Sequence, residues 1–350
     1  MTLFVFIIVI VVLIFVHELG HFVTAKASGV KVEEFGIGFP PRLIAWKRGE
    51  TVYSINAVPL GGFTKMTGEE DPADPRSLAG KSIPTRLLVL SSGALMNALL
   101  PLLLFAVAFM VPHQVVVGQV AIQEVAPDSP AARAGIRPGD VVLKVKGEPV
   151  QNIADLQRLI HVSLGREIPV LLKRPDSTTA EVRVTPRWNP PEGQGATGIM
   201  ARMLDPKLVS RSHPPWQAIP LGLQEYRETY VLFKNSIVSM FVGNEPVRVT
   251  GPVGIAQLTG EVAKAGISPL LEFAAFLSIN LAIVNIFPLP ALDGGRIVFV
   301  LLEWVRGGRR ISPRTEKLVH LIGFMMLILA IILVSFYDIA RIINGGSLVP

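Results

Sequence analysis

Residues Leu3–Ala27 have the sequence LFVFIIVIVVLIFVHELGHFVTAKA, in which a long apolar run leads into His17-Glu18-Leu19-Gly20-His21. A segment of this length can cross a bilayer as a helix. The H-E-x-x-H spacing puts two imidazoles on one helix face, where they can bind a zinc ion with the intervening glutamate beside them. Ionisable side chains are costly inside a membrane span and are typically functional there. The stretch therefore predicts a metal centre within a membrane helix.

The composition limits the class of protein. Half of the 350 residues are hydrophobic, which indicates a membrane protein with a few spans and one small globular domain. There are no cysteines, so disulfides, thiolate metal sites and a cysteine nucleophile are excluded. The net charge of +6 comes from Lys and Arg in loops beside apolar runs, which favours a membrane over a nucleic-acid partner. The N-terminal run lacks a basic leader and continues into the metal motif, so we expect it to be retained rather than cleaved as a signal peptide.

Four apolar runs are candidate spans, and the basic residues between them predict an orientation. The runs are approximately Leu3–Ala27, Leu87–Val111, Leu270–Pro288 and Leu318–Phe336. Two of the connecting loops are rich in Lys and Arg: Lys31, Arg42, Lys47, Arg48, Lys65, Arg76, Lys81 and Arg86 in the first; Arg296, Arg306, Arg309, Arg310, Arg314 and Lys317 in the last. Basic loops stay in the cytoplasm, so we expect both termini and the long stretch 113–269 outside the cell and the metal site towards the cytoplasmic side.

The first loop and the second span carry weaker signals. Residues 29–86 predict a cytoplasmic β-hairpin unit beside the membrane, with strands at 42–46 and 51–58 around Lys47–Glu50 and an end near 59–63. The unit is either a structured connector or a part that admits substrate. In the second span, Ser91, Ser92, Gly93 and Asn97 favour close helix packing over a catalytic role.

The segment 114–187 changes to a soluble α/β pattern. Ser129–Gly135 predicts a short helix and Val141–Val145 a strand, and the run from Val125 to Val150 resembles a PDZ domain. Ile153–Leu164 is then the helix beside the peptide groove. Such domains bind extended chain termini by adding a strand to a sheet edge. Binding of a peptide or protein terminus and a purely steric role remain open alternatives.

The segment 188–269 is predicted to be a linker followed by an amphipathic helix. Trp188–Pro215 is rich in Pro and Gly, and Trp216–Val242 has apolar residues at helical spacing mixed with charged ones. The helix is too polar to span a membrane. It suits the outer membrane surface, and the alternative is a helix that packs on a soluble partner.

The third span ends in a second group of polar residues. Pro288 and Pro290 cannot continue a helix, so the chain must open there, and irregular backbone at membrane depth is tolerated only inside protein or beside water. Asp293, on a turn before Gly294-Gly295, is then able to join the two histidines and leave a fourth position for water. Asn280 and Asn285 are candidates for binding a substrate backbone, with helix-to-helix packing as the alternative.

Together these motifs resemble the site-2 protease family, in particular bacterial intramembrane zinc metalloproteases. The resemblance rests on the H-E-x-x-H, the PDZ-like insert, Gly251-Pro-Val-Gly254 and N-x4-N-x2-P-x-P-x-L-D-G-G from Asn280 to Gly295. It implies zinc bound by His17, His21 and Asp293, a catalytic Glu18, and an anti-sigma-factor-like or signal-peptide-like single-span substrate. The chain shows one PDZ-like domain where some relatives carry two, and Ala94 stands where the family's second span is expected to have Pro.

The expected fold is a polytopic α-helical membrane protein with about four transmembrane helices, a small cytoplasmic β-hairpin unit and an extracytoplasmic PDZ-like α/β domain. We expect it in the bacterial cytoplasmic membrane. The competing functions are a zinc transporter, which has no use for Glu18, and a non-catalytic PDZ scaffold, which has no use for the metal. The expected segments are 1–28, span 1; 29–86, hairpin unit; 87–112, span 2; 114–187, PDZ-like domain; 188–269, linker and surface helix; 270–306, span 3 with its broken end; 317–337, span 4.

Overall fold

The computed structural model describes residues 2–242 and 250–344. It forms two compact units, Met1–Ala108 with Val249–Pro350, and Phe109–Arg248. The helices are α1 (Thr2–Ala27), α2 (Ile83–Met110), α3 (Pro130–Arg133), α4 (Ile153–Val162), α5 (Pro215–Val242), α6 (Pro252–Ala265), α7 (Ile267–Ile286), α8 (Asp293–Val305) and α9 (Pro313–Ile343). The strands are β1 (Val32–Arg48), β2 (Thr51–Met66), β3 (His113–Val125), β4 (Val141–Val145), β5 (Glu148–Pro149), β6 (Ile168–Lys173), β7 (Thr179–Val184) and β8 (Ile199–Arg211).

Four of these helices, α1, α2, α7 and α9, are long and apolar enough to cross a membrane. The predicted number of candidate spans is therefore confirmed for the described residues. The ends differ by a few residues, most for α9, which extends at both ends beyond the predicted 318–336. Its start is fixed locally: Pro313 occupies the first helical position, and the Ser312 hydroxyl accepts a hydrogen bond from the Thr315 amide at 3.2 Å.

Small residues let α1 and α2 pack closely. A methyl group at Gly20 would collide with the Ser92 carbonyl oxygen on α2. One turn further along α1, the Thr24 hydroxyl lies 2.8 Å from the Ser92 hydroxyl. Towards the other end, Leu13 of α1 is buried in a cluster with Ala274 of α7. The three helices thus form the frame in which the H-E-x-x-H side chains are held.

The first loop forms a longer sheet than predicted. The turn at 49–50 lies where the sequence predicts it, but residues 59–63 continue β2 instead of ending the unit. The central part of β1, 34–37, pairs with both 52–55 and 62–65 of β2, while 42–48 pairs with 51–56. The four segments therefore lie in the order 62–66, 32–37, 51–56 and 42–48. This places the Gly62–Met66 segment at one edge of the sheet.

The second unit is built on a six-stranded antiparallel sheet. Its strand order is β7-β6-β4-β3-β8, with β5 paired to β4. The core lies between the sheet and α4, with Ile122, Leu159 and Leu172 among its most buried side chains. The strands and helices follow the order predicted for 114–187.

The prediction of a linker at 188–215 is wrong for half of its length. Residues 199–211 form β8, which pairs with β3 along nearly its whole length, from Val125↔Ile199 to His113↔Arg211. Pro and Gly in the segment predict irregular structure, but the pairing partners lie 74 to 98 residues away in sequence and leave no local signal.

The helix predicted at 216–242 is α5, and it packs on α4 within the same unit. Asn235 donates its amide to the His161 carbonyl at 2.7 Å, and Arg158 pairs with Glu228. The alternative prediction, a helix that packs on a soluble partner, therefore describes the face of α5 that contacts α4. Trp216 and Phe241 of α5 remain largely exposed.

Candidate metal centre

The predicted ligands meet in one place. His17 Nε2 and His21 Nε2 lie 3.2 Å apart, and each is 3.1 Å from Asp293 Oδ2. The two histidines come from α1 and the aspartate from the start of α8, 272 residues beyond His21. Both imidazoles are buried, and the carboxylate is 19% exposed. Within the described residues, these three form the group of His and acidic side chains whose geometry suits a metal ion.

The spacing of these atoms fits zinc. Ligands about 2.0–2.1 Å from a tetrahedral ion lie about 3.3–3.4 Å from one another, close to the observed sides of the triangle. Gly93 of α2 leaves room beside them. A methyl group there would lie 2.7 Å from His17 Nε2 and closer still to His21 Nε2, so the glycine keeps the space next to both nitrogen atoms open. Two imidazoles and one carboxylate are also the donor types that catalytic zinc sites use.

Backbone and side-chain groups orient the imidazoles. His21 Nδ1 lies 2.8 Å from the Val89 carbonyl oxygen, and a carbonyl can only accept. Nδ1 therefore carries the proton, which leaves the Nε2 lone pair free to bind a metal ion beside Asp293. His17 Nδ1 faces the amides of Asn97 at 3.4 Å and Asn285 at 3.5 Å. Metal-binding histidines are commonly held through their second nitrogen in this way.

Glu18 lies beside the edge of the β1–β2 sheet. The Thr64 hydroxyl donates to the Glu18 carbonyl at 3.0 Å, and a methyl group at Gly62 would come within 3.2 Å of Glu18 Cγ. Gly62 thus lets the edge segment run close to this side chain. Glu18 stays partly accessible, unlike the two histidines that flank it.

Asp293 reaches the site from a helix rather than from the predicted turn. The chain is irregular from 287 to 292, as the two prolines require, but Asp293-Gly294-Gly295 opens α8. Methyl groups at Gly294 and Gly295 would collide with carbonyl oxygens of Phe287 and Leu289. The glycines are therefore needed because the first turn of α8 packs on the last residue of α7 and on the irregular segment that follows it. From the sequence alone, the same two glycines predict a turn.

The two asparagines predicted for substrate binding have different surroundings. Asn285 is 8% exposed and lies next to His17. Asn280 donates its amide to the Phe276 carbonyl one turn earlier in α7, at 2.8 Å, and no bond to the three ligands is described for it. The structure thus groups Asn285, but not Asn280, with the predicted ligands.

Sequence reasoning missed three contributors to the site. The sequence predicts that Gly93 and Asn97 serve helix packing, yet they lie four residues apart on the face of α2 that contacts both histidines. The H-E-x-x-H on α1 gives no hint of which turn of α2 it meets. The Val89 carbonyl has no side-chain signature at all.

Four candidate spans and a cluster of two buried histidines with one carboxylate are the features of a membrane metalloprotein. A model of peptidase family M50 matches residues 5–330, and the chain belongs to this family. It is 37% identical to a putative zinc metalloprotease of Clostridium perfringens, over 93% of this chain and 95% of that one. It is 30% identical to the zinc metalloprotease RasP of Geobacillus kaustophilus, over 96% and 97% of the two chains. It is 27% identical to the regulator of sigma-W protease RasP of Bacillus subtilis, over 97% and 99%.

These likenesses decide the class of function. The protein is an intramembrane zinc metalloprotease, so the predicted enzyme class and cofactor are confirmed. The transporter and scaffold alternatives are set aside, because the family and its curated relatives are proteases. The resemblance inferred from the motifs is confirmed at the level of the family.

Proposed function

We propose that His17, His21 and Asp293 hold the zinc ion, that Glu18 is the catalytic acid and base, and that the enzyme cleaves single-span membrane proteins within or near their transmembrane segment. The observation that carries this is the triangle of ligand atoms, with sides of 3.1–3.2 Å, formed by residues from α1 and α8. Its dimensions suit one ion, and Glu18 projects from the same helix turn as the histidines.

The chemistry follows from the positions of these groups. When bound, zinc acts as a Lewis acid that polarises the scissile carbonyl and lowers the pKa of water. Glu18 takes the proton of the attacking water and later gives it to the leaving amine, so one carboxylate serves as base and then as acid. Its partial exposure beside buried histidines suits a group that must meet water and substrate in turn.

The substrate must be locally unwound, because a transmembrane helix conceals its carbonyls in its own hydrogen bonds. Asn285, next to His17, is placed to bond the released backbone, and Asn280 could do so one to two turns earlier if its amide leaves Phe276. One relative is a regulator of sigma-W protease, which supports anti-sigma-factor-like substrates here. Signal-peptide-like segments also cross the membrane once, and they are the second class of substrate that we propose.

We place the enzyme in the bacterial cytoplasmic membrane with the site towards the cytoplasm. The relatives are bacterial, and the eight Lys and Arg of residues 29–86 flank the end of α1 that carries the metal motif. Both termini and the second unit then lie outside the cell.

We further propose that residues 114–187 are PDZ-like and form part of the larger unit ending after α5. The antiparallel sheet with α3 and α4 in the expected order supports this, as does the capping of α3 by Ser129, whose hydroxyl accepts from the Ala132 amide at 3.1 Å. A terminus could add to a sheet edge, or the unit could limit access by its size.

The function is tested by co-expressing candidate single-span proteins with the wild-type enzyme and with Glu18→Gln. We expect a cleaved fragment only with the wild type, while purified Glu18→Gln still binds one zinc per chain. His17→Ala is the matched loss-of-metal variant. Cleavage by Glu18→Gln at the wild-type rate would remove Glu18 from the mechanism, and full zinc occupancy in His17→Ala would refute the ligand set.

A further inference from the structure

The two zinc-binding histidines must present the same nitrogen to the metal. Their Nε2 atoms converge on Asp293, so each needs a proton on Nδ1 and an acceptor for that proton. The Val89 carbonyl supplies the acceptor for His21. His17 has no carbonyl at that distance among its described hydrogen bonds, so its acceptor must be a side-chain group.

Two side-chain amides compete for this role. Asn97 and Asn285 both place Nδ2 near His17 Nδ1, at 3.4 and 3.5 Å. An amide nitrogen cannot accept a hydrogen bond, but the oxygen and nitrogen of an amide are assigned from the surrounding network and exchange by a 180° rotation. One of the two amides must therefore turn its oxygen towards His17.

Burial distinguishes the two amides. Asn97 is fully buried, and its Oδ1 has no hydrogen-bond partner in the described structure. Asn285 is 8% exposed, and its oxygen is not among the buried unpartnered atoms. In either orientation one end of the Asn97 amide lacks a described partner. Only the rotated orientation gains a bond to the protonated Nδ1, and leaving two donors face to face in a buried site is costly.

We propose that Asn97 is a positioning residue for the metal centre, with Oδ1 accepting the Nδ1 proton of His17 so that Nε2 is held towards the zinc ion. The inference rests on the ligand set of the proposed function. A second bond fixes Asn97 itself: the Ser278 hydroxyl of α7 donates to the Asn97 carbonyl at 2.8 Å. Asn97 thus joins α2 to the ligand helix α1 and to the helix that leads to Asp293.

The test separates hydrogen-bond acceptance from shape. Asn97→Leu keeps the approximate volume without an acceptor, Asn97→Asp keeps an oxygen, and Asn280→Leu is the same substitution on a residue that does not contact His17. Zinc affinity is measured by chelator competition on the purified full-length protein, and the visible spectrum of the Co²⁺-substituted protein reports ligand geometry. Neither readout depends on cleavage.

We expect Asn97→Leu to lower zinc affinity about 10- to 100-fold and to alter the Co²⁺ spectrum, as loss of a partner behind a metal ligand commonly does. Asn97→Asp should stay within about threefold of the wild-type zinc affinity, and Asn280→Leu should match the wild type in zinc affinity and in the Co²⁺ spectrum, whatever its effect on cleavage. If Asn97→Leu does not fold, Asn97→Ala replaces it. Wild-type affinity in these apolar variants, or an equal loss in Asn97→Asp, overturns the proposal.

Two further variants identify where a failure lies. Loss of affinity in Asn285→Leu but not in Asn97→Leu would give the acceptor role to Asn285 and refute the assignment of Asn97. If His17→Ala retains zinc, the ligand set of the proposed function fails. If His17→Ala loses zinc while Asn97→Leu does not, only the present inference fails.

Discussion

Gly93→Ala provides a direct test of the proposed metal centre, because it adds one methyl group next to the imidazoles of both His17 and His21. The new carbon would lie 2.7 Å from His17 Nε2 and closer to His21 Nε2, whereas ordinary contacts begin near 3.4 Å. The imidazoles or α2 would have to move by about 0.7 Å or more. Zinc sites tolerate about 0.2 Å of departure from ideal ligand distances, so we expect the site to be lost or badly distorted.

The expected loss of zinc affinity is at least about 100-fold, which corresponds to about 2.8 kcal/mol. Chelator competition on purified protein measures it, and cleavage should fall in parallel. The fold should survive, because alanine is a better helix former than glycine by about 1 kcal/mol. Ser91→Ala, two residues away and outside the ligand contacts, is the control. Wild-type zinc affinity in Gly93→Ala would show that the space beside Gly93 is not where the ion binds.

Three further predictions concern stability. Glu303 is buried and pairs with Arg86 at 2.5 Å and with Arg310 at 3.0 Å. Burial alone would raise the pKa of Glu303, but these hydrogen bonds lower it. The stabilisation from Glu303 is therefore complete above its unfolded pKa near 4.3 and is lost as the pH falls through the lower folded pKa. Glu303→Gln should lower the free energy of unfolding in detergent at pH 7 by about 3–5 kcal/mol. It should also weaken the fall of this free energy at acid pH, and an unchanged acid dependence would contradict the assignment. Asp338→Ala should lower the free energy of unfolding by about 1–3 kcal/mol, and Asp338→Asn by less. The reason is that the buried Asp338 carboxylate accepts a hydrogen bond from the Gly254 amide at 2.8 Å and so caps α6. Equal stability of the wild type and both variants would show that the cap contributes nothing. Removing zinc with a chelator should abolish cleavage and lower the unfolding temperature, with both restored by added Zn²⁺ and neither by Mg²⁺.

The sequence predicted the local parts of the structure well. Apolar length is enough to recognise a span, and a 3.6-residue period is enough to put His17 and His21 on one face, so the four candidate spans and the paired ligands needed no tertiary information. One error occurs where a distant partner decides: residues 199–211 became β8 because β3 offered an edge. The other is local. Gly294 and Gly295 predict a turn, but they lie in the first turn of a helix that packs closely on the carbonyl oxygens of Phe287 and Leu289.

What the sequence determined by itself is the candidate chemistry: which side chains can bind metal, which carboxylate stands between the two histidines, and that these groups belong in an apolar helix or at the end of one. What only the tertiary structure decided is how these groups are held. Asp293 meets His21 across 272 residues of sequence, one turn of α2 places Gly93 and Asn97 against the imidazoles, and an edge strand lies beside Glu18. All three contacts depend on how separate elements pack. Periodicity and motif spacing describe neighbours along one element, whereas these contacts depend on the fit between elements.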